Sequence, residues 1–443
     1  MQKQGILSPS PTLKSCRRLG KWGRFLLVVT MLLFALAGWW WASRPKTYRL
    51  VGRYPLADTF EKVWSTTAGF LVKESARKYV MHDWATGREC WRVSPAKADF
   101  HNWPGDPFYA SMASVCASIS PDGRNLYIAT PAGDRLRVQF WQTGCLMGEA
   151  LIPLPDSFRQ VNPKVLSGVQ PVLFACDSKR CFVELIARIK GGSDRYNIYA
   201  LNGQCVEATN ELPQIVYFSP DGQTARFHYY KKRSTIIGTD TVNWIDRTCA
   251  TARVSIEKKK LLYRDKRNLP DIAFFGVNGT AITQGGEIFR LDGTHDGLSG
   301  SWMCLWKNSV NGRYAAICDP VKKRVCVVNL ITGQRWNTHV PGITAENRPT
   351  ADGQAFIAHV DYSLLETPLG EMLEKHVPAM DRFLRSKRYF ILYRKHERLV
   401  ARLRLDQMQF RPDHPDKWHT SPDGRSIILL DATEKDECLL YRY

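Results

Sequence analysis

At 443 residues the chain exceeds the size at which a single hydrophobic core usually stops growing, so it folds as several domains or as one array of repeated modules. A hydrophobic content of 44% excludes disorder, and 11% aromatic residues with Val- and Ile-rich runs favour a β-dominated fold. Six of the positives behind the net charge of +20 precede residue 25; the +14 beyond them excludes an acidic protein and leaves solvated loop tips or an anionic partner as explanations.

Residues 1–24 form a basic tail with Lys3, Lys14, Arg17, Arg18, Lys21 and Arg24, and no acidic residue occurs before Asp58. Phe25 to Ser43 then run for 19 residues without a charged side chain, which as a helix spans about 28 Å, close to a bilayer core. Trp39, Trp40 and Trp41 fall where an interfacial aromatic belt sits. The positive-inside rule keeps the tail in the cytoplasm and exports the remainder, giving a single-pass protein of the cell membrane, although Arg44, Lys46, Arg49 and Arg53 reduce the asymmetry. The alternative is a cleavable signal peptide ending near Ala35-Leu36-Ala37. Both readings place residues 44–443 outside the cytoplasm.

Beyond the apolar stretch a turn recurs: Ser120-Pro121-Asp122-Gly123, Ser219-Pro220-Asp221-Gly222 and Ser421-Pro422-Asp423-Gly424, with looser copies at Ser309-Val310-Asn311-Gly312 and Thr350-Ala351-Asp352-Gly353. Pro presets φ at the first corner, Asp caps the turn and Gly takes the φ > 0 position. Each copy joins two strand-like runs. A second landmark, Thr-Gly, closes a later strand at Thr86-Gly87, Thr143-Gly144 and Thr332-Gly333 and starts the outermost one. Between these landmarks, residues 63–93, 116–152, 171–208, 215–256 and 302–340 each read as four short strands, with a weaker unit around 272–292. In 215–256 the run Lys231-Lys232-Arg233 reads as a loop, with VNWIDR and ARVSI as the last two strands. Four antiparallel strands per 40–50 residues is the blade of a β-propeller. Seven or eight blades can be counted over residues 44–443, eight being preferred, after one transmembrane helix at 25–43.

The ends supply a further expectation. The unit starting at Trp418 stops one strand short at CLLYRY, while TYRLVGRYP at 47–55 has no hairpin partner nearby. A ring without an open edge results if residues 47–55 pair with 437–443. The seventh unit carries an insertion at about 363–388, where Thr367-Pro368 opens a helix with Leu369, Met372 and Leu373 on one face.

The twelve cysteines include no C-x-x-C pair, which argues against structural zinc and thioredoxin-like chemistry. Cys176 with Cys181, and Cys318 with Cys326, flank turns and are candidate disulfides in an oxidising compartment if their Cβ atoms face each other. Cys90, Cys145, Cys205 and Cys249 follow equivalent turns and read as small buried hydrophobes. The basic runs Lys231-Lys232-Arg233, Lys258-Lys259-Lys260, Lys322-Lys323-Arg324 and Arg385, Lys387 and Arg388 onward are placed at turns or in the insertion. They are candidate contacts to anionic lipid or another polyanion; nucleic acid is not expected.

No zinc-protease helix, phosphate loop or nucleophile elbow occurs, so no catalytic, cofactor-binding or metal-ligating residue is assigned and no cofactor is expected. The segment Asp292 to Gly297 lacks the alternating acids of a calcium loop. The Ser-Pro-Asp-Gly turn with its Thr-Gly partner resembles bacterial WD-repeat-like and TolB-type propellers over about residues 57–443. That resemblance implies a rigid disc binding partners on its faces. The expected function is a membrane-anchored, non-enzymatic scaffold for a protein partner, with a hydrolase or lyase acting in the central channel as the alternative.

Overall fold

The structure, a computed structural model, describes residues 29–32, 45–57, 63–75, 77–105, 115–154, 166–175, 180–189, 195–202, 205–208, 216–218, 225–237, 240–255, 260–264, 272–277, 280–283, 287–290, 294–297, 309–319, 321–340, 343–362, 387–395, 399–405, 418–430 and 437–443; within 195–264 the backbone alone is described. Met1–Pro45 and Lys46–Tyr443 are separate compact units. In the first, residues 29–32 are helical. Among the described residues no helix is long and apolar enough to cross a membrane, and the rest of the apolar stretch 25–43 lies outside them. Residues 363–386 of the expected insertion lie outside them as well, while its last two, Lys387 and Arg388, open a strand instead of ending a helix.

The regular elements of Lys46–Tyr443 are strands, arranged among the described residues in eight sheets that follow the chain. The first sheet comprises Val63–Ser65, Gly69–Ser75, Lys78–Asp83 and Glu89–Val93; the second, Cys116–Ile119, Asn125–Ala132, Arg135–Gln142 and Cys145–Pro153. The third holds Leu166–Ala175, Arg180–Ile189, Arg195–Asn202 and Cys205–Ala208; the fourth, Val216–Phe218, Ala225–Ile237, Asp240–Ser255 and Lys260–Arg264. Four shorter strands, Ile272–Phe275, Ala281–Thr283, Ile288–Phe289 and His295–Asp296, make the fifth, and Tyr314–Asp319, Arg324–Asn329 and Arg335–His339 the sixth. The seventh is Ile343–Pro349, Ala355–Tyr362, Lys387–Arg394 and Ala401–Leu405, with Lys46–Thr47 added in parallel at its outer edge. The eighth is Trp418–Thr420, Ser426–Leu430, Glu437–Arg442 and Arg49–Pro55. Within each sheet, consecutive strands of the meander pair antiparallel.

Hydrophobic clusters show how the sheets stack. One joins Leu71, Tyr79 and Met81 of the first sheet to Ile119, Leu126 and Ile128 of the second. Another joins Tyr127, Val138 and Ile152 of the second to Val169, Val183 and Leu185 of the third. Ile282 and Ile288 of the fifth meet Ile317, Cys326 and Val328 of the sixth, and Ala316, Cys318 and Val327 on the sixth sheet's other face meet Phe356, Ala358 and Ile391 of the seventh. Ile357, Phe390 and Leu403 pack on Trp418, Ile427 and Leu429 of the eighth. Ile428, Cys438 and Leu440 of the eighth then pack on Phe70, Val72 and Trp84 of the first. Alternate residues along a strand point to opposite faces, so each sheet offers one apolar set to the sheet before it and one to the sheet after. Six face-to-face interfaces are thus described, and in one of them the last sheet packs back on the first, the arrangement of blades around a ring. The fold is a β-propeller.

First strands of neighbouring sheets lie against each other, as Val63–Ser65 does with Trp418–Thr420, and form the inner wall. Last strands form the rim. In Cys145–Pro153 only Ala150 and Ile152 are buried, and Arg335–His339 alternates between exposed and half-buried residues. The expected closure is present: Arg49–Pro55 pairs antiparallel with Glu437–Arg442, from Arg49 opposite Arg442 to Pro55 opposite Glu437. Tyr48 between the two N-terminal strands is buried, and its hydroxyl donates to the Gly424 carbonyl at 2.6 Å.

The fourth sheet departs from expectation. Lys231, Lys232 and Arg233 lie inside the 13-residue strand Ala225–Ile237, not in a loop, and face Asp246, Ile245 and Trp244 of the 16-residue strand Asp240–Ser255. The stretch read as the two strands VNWIDR and ARVSI lies in one continuous strand to Ser255, and Lys260–Arg264 is the fourth. The β-branched run Thr235 to Ile237 carries the strand past the basic residues, and the first sequence that favours a turn is Gly238-Thr239.

Candidate functional site

The recurrent turn is a built network repeated around the ring. In the second, sixth, seventh and eighth sheets the glycine has positive φ: Gly123 at 75°, Gly312 at 68°, Gly353 at 66° and Gly424 at 72°. The first residue's hydroxyl accepts the N–H five residues on, as Ser120 Oγ from Asn125 at 3.0 Å, Ser309 from Tyr314 at 2.9 Å, Thr350 from Ala355 at 3.0 Å and Ser421 from Ser426 at 2.8 Å. The same hydroxyl donates to the third residue's Oδ1: Asp122, Asn311, Asp352 or Asp423. That oxygen also accepts the N–H of Arg124, Arg313, Gln354 or Arg425. Each corner thereby pairs its hydroxyl and the two N–H groups that face it.

Backbone bonds then tie turn to turn across sheets. Thr67 N–H donates to the Pro121 carbonyl at 2.8 Å, Val277 to Gly312 at 3.0 Å and Ala351 to Pro422 at 2.7 Å. Asn311 stands where the other copies have Asp, and its amide adds a bond to the Ala351 carbonyl at 2.8 Å, which a carboxylate could not donate. The turns so braced display Asp122, Arg124, Arg313, Asp352, Gln354, Asp423 and Arg425, all exposed. Alternating acids and bases on a braced frame suit a polar protein surface.

The closure seam between the eighth and first sheets carries a set of polar contacts. On the inner wall Ser65 Oγ lies 2.9 Å from His419 Nδ1. Further out, the Trp84 carbonyl accepts from Ser426 Oγ at 3.2 Å and Arg442 Nη2 at 3.0 Å, and Trp84 Nε1 donates to the Thr66 carbonyl at 2.9 Å. Tyr54, from the N-terminal strand, donates to the Gly87 carbonyl at 2.9 Å and lies 4.4 Å from the His82 ring and 5.3 Å from Phe70. His82 Nδ1 faces the same carbonyl at 3.3 Å, an oxygen that only an N–H can pair with, so Nδ1 carries the ring proton. Its Nε2 is 3.9 Å from Glu74, which Lys78 also engages at 2.5 Å. Burial holds the His82 imidazole below its usual range, against the opposing pull of the Gly87 carbonyl, Glu74 and Glu89.

The candidate disulfide between Cys318 and Cys326 is ruled out by register. Cys326 stands opposite Ile317, so Cys318, one residue on, points to the other face, and the two thiols belong to different interfaces. Burial raises both thiols to about 11. Cys181 is buried opposite Ala175 at the start of the expected hairpin, and Cys176 lies outside the described residues. Cys90 and Cys145 are exposed rather than buried, because they begin rim strands with no sheet beyond them. Cys205 likewise begins a rim strand, and Cys249 is mid-strand opposite His228.

The basic candidates do not converge. Lys231, Lys232 and Arg233 belong to the fourth sheet's second strand and Lys260 to its last, while Lys387 and Arg388 are in the seventh sheet's third strand. Lys258, Lys259 and Arg385 lie outside the described residues. Lys322 and Lys323 do occupy a turn. No cluster of three or more metal-ligating side chains occurs among the described residues. Sequence reasoning missed the Ser65–His419 pair. Its members are 354 residues apart, Ser65 at the end of one first strand and His419 in the middle of another, and no local spacing in the sequence joins them.

No family model matches the chain, and no curated protein matches it. Among solved structures it is similar to the C-terminal WD40 domain of Sif2, with 11% identity over 90% of this chain and 99% of that one and a TM-score of 0.42. It is also similar to BamB from Moraxella catarrhalis, at 11% identity over 90% and 100% of the two chains and a TM-score of 0.37. A third is the dihydro-heme d1 dehydrogenase NirN in complex with DHE, at 16% identity over 89% and 78% and a TM-score of 0.38. At these scores the likenesses carry no argument about function; the propeller assignment rests on the successive, mostly four-stranded meanders and on the packing of the last sheet against the first.

Proposed function

We propose that this chain is an eight-bladed propeller, tethered to the cell membrane by residues 25–43 with its disc outside the cytoplasm, that binds a protein partner on the turn-ring face and catalyses no reaction. The observation that carries this reading is the set of braced turns bearing Asp122, Arg124, Arg313, Asp352, Gln354, Asp423 and Arg425, exposed side chains of mixed charge each fixed by the same hydrogen-bonded corner. The test is site-specific photo-crosslinking from Arg124, Gln354 and Arg425 in intact membranes. A single stoichiometric partner at these positions, absent from rim positions such as Arg335, is the expected result. No adduct from any of the three, in a protein that still melts cooperatively, overturns the face assignment.

A second reading, a hydrolase with its site in the channel, draws on one observation: a serine hydroxyl 2.9 Å from an imidazole on the inner wall. A fluorophosphonate probe separates the two. Covalent labelling at Ser65 that His419→Ala abolishes would replace the scaffold reading, and an unlabelled Ser65 leaves the pair as a seam contact.

A further inference from the structure

The rim is not electrically uniform. On the first sheet's last strand, Arg92 and Glu89 neutralise each other through two bonds of 2.6 Å. On the second, Glu149 is paired with Arg137 at 3.1 Å, and in the fifth Arg290 with Asp296 at 3.2 Å. The seventh and eighth sheets differ. Their outer strands, Lys46–Thr47, Arg49–Pro55 and Ala401–Leu405, carry five cations, Lys46, Arg49, Arg53, Arg402 and Arg404, and no acid. All five are exposed, and among the described residues only Arg53 has an ion pair, with Glu437 at 3.2 Å.

These cations share one stretch of rim. Thr47 stands opposite Arg402 in the parallel ladder, the Tyr48 N–H donates to the Arg402 carbonyl at 3.1 Å, and Arg49 follows directly. Between Arg49 and Arg53 the strand exposes Leu50 by 40% and Val51 by 52%. Exposed aliphatic side chains set among exposed cations are the composition of a surface that meets lipid headgroups: the cations take the phosphates and the aliphatics enter the acyl boundary. Covalent continuity points the same way. The apolar stretch ends at Ser43, and the three steps to Lys46 reach at most about 10 Å when extended.

We infer that the rim formed by Lys46, Arg49, Leu50, Val51, Arg402 and Arg404 docks on an anionic lipid bilayer. This deepens the tether proposed above and rests on it. The disc then stands edge-on to the membrane at its closure seam, leaving the turn-ring face open to a partner.

The test uses the full chain in vesicles of phosphatidylcholine with and without phosphatidylglycerol. Hydrogen exchange is read over 46–55 and 401–405, with 335–339 as the control segment. Exchange over the two rim segments slows only when phosphatidylglycerol is present, and the protection disappears at about 1 M salt, where the screening length falls to about 3 Å. Arg402→Ala with Arg404→Ala shifts the docking equilibrium about thirtyfold towards the free rim, two cations each worth a factor of five or six. Both side chains are exposed, so the variant keeps the wild-type melting temperature. Unchanged exchange with phosphatidylglycerol overturns the inference, as does equal protection by soluble polyphosphate beside neutral vesicles. Alkaline carbonate extraction scores the tether separately. Protein stripped from the vesicles refutes the anchor, whereas protein retained without rim protection refutes the docking alone.

Discussion

Shortening Leu440 to alanine removes three carbons from the interface through which the eighth sheet packs on the first. Leu440 is fully buried with Phe70, Val72, Trp84, Ile428 and Cys438 around it. Three buried carbons at about 0.8 kcal/mol each give about 2.4 kcal/mol in lost transfer energy, and the cavity left in a packed seam raises this to about 3–4 kcal/mol. Leu50 on the facing strand is the matched control. It is 40% exposed, so Leu50→Ala stays within about 0.5 kcal/mol of wild type. Urea unfolding followed by tryptophan fluorescence measures both, with Trp84 reporting from the seam itself. A cost below about 1 kcal/mol for Leu440→Ala, or equal costs for the two variants, means the last sheet does not pack on the first and the ring is open. Deleting 437–443 is the severer version. It removes the strand that pairs with both Ser426–Leu430 and Arg49–Pro55, and a soluble, cooperatively unfolding truncation refutes closure outright.

Three further outcomes follow from the geometry. Ser120→Ala strips the buried Asn125 N–H of its side-chain acceptor and frees Asp122, costing about 1–3 kcal/mol, while Arg124→Ala at the exposed corner is near neutral in the same urea assay. Native alkylation modifies Cys90 and Cys145 first; Cys318 and Cys326, buried and raised to about 11, react only on unfolding, since about one thiol in a thousand is ionised at pH 8. A peptide linking Cys318 to Cys326 under non-reducing conditions contradicts the register. His82 is held below its usual range, so the unfolded chain takes up a proton there first; its contribution is complete above about pH 6.5 and is lost as pH falls through the depressed folded value. His82→Gln therefore flattens the fall of the urea midpoint between about pH 7 and 5, and an unchanged slope rejects burial as the cause.

Local chemistry explains what the chain discloses about itself. Gly123, Gly353 and Gly424 have the positive φ that the recurrent turn demands, and Gly87, Gly144 and Gly333 have it at the second landmark, because both turns are set by the residues inside them. The missing strand was legible as an arithmetic gap at the C-terminus. Contacts set by register were not. Whether Cys318 faces Cys326 depends on a one-residue phase that turn spacing alone does not fix, and the Lys231 run is strand because a partner of matching length faces it, with Asp246 opposite Lys231. Ser65 and His419 meet only after the ring closes.

The cost of that closure can be set against the polar contacts at the seam. Neighbouring sheets are joined by loops within one repeat of about 40–50 residues, whereas Ser65 and His419 are 354 apart. Loop-closure entropy grows as (3/2)RT ln n, so the last interface costs about 2 kcal/mol more to form than any other. Four side-chain hydrogen bonds cross the seam: Ser65 with His419, Ser426 and Arg442 with Trp84, and Tyr54 with Gly87. At about 1 kcal/mol net each they offset the excess with some to spare. Two further features follow. The N-terminal strand is recruited to the last sheet because a strand already tethered near the rim closes the ring without adding an exposed edge. The same recruitment brings Lys46, Arg49 and Arg53 beside Arg402 and Arg404, so the act that closes the disc also assembles its basic rim.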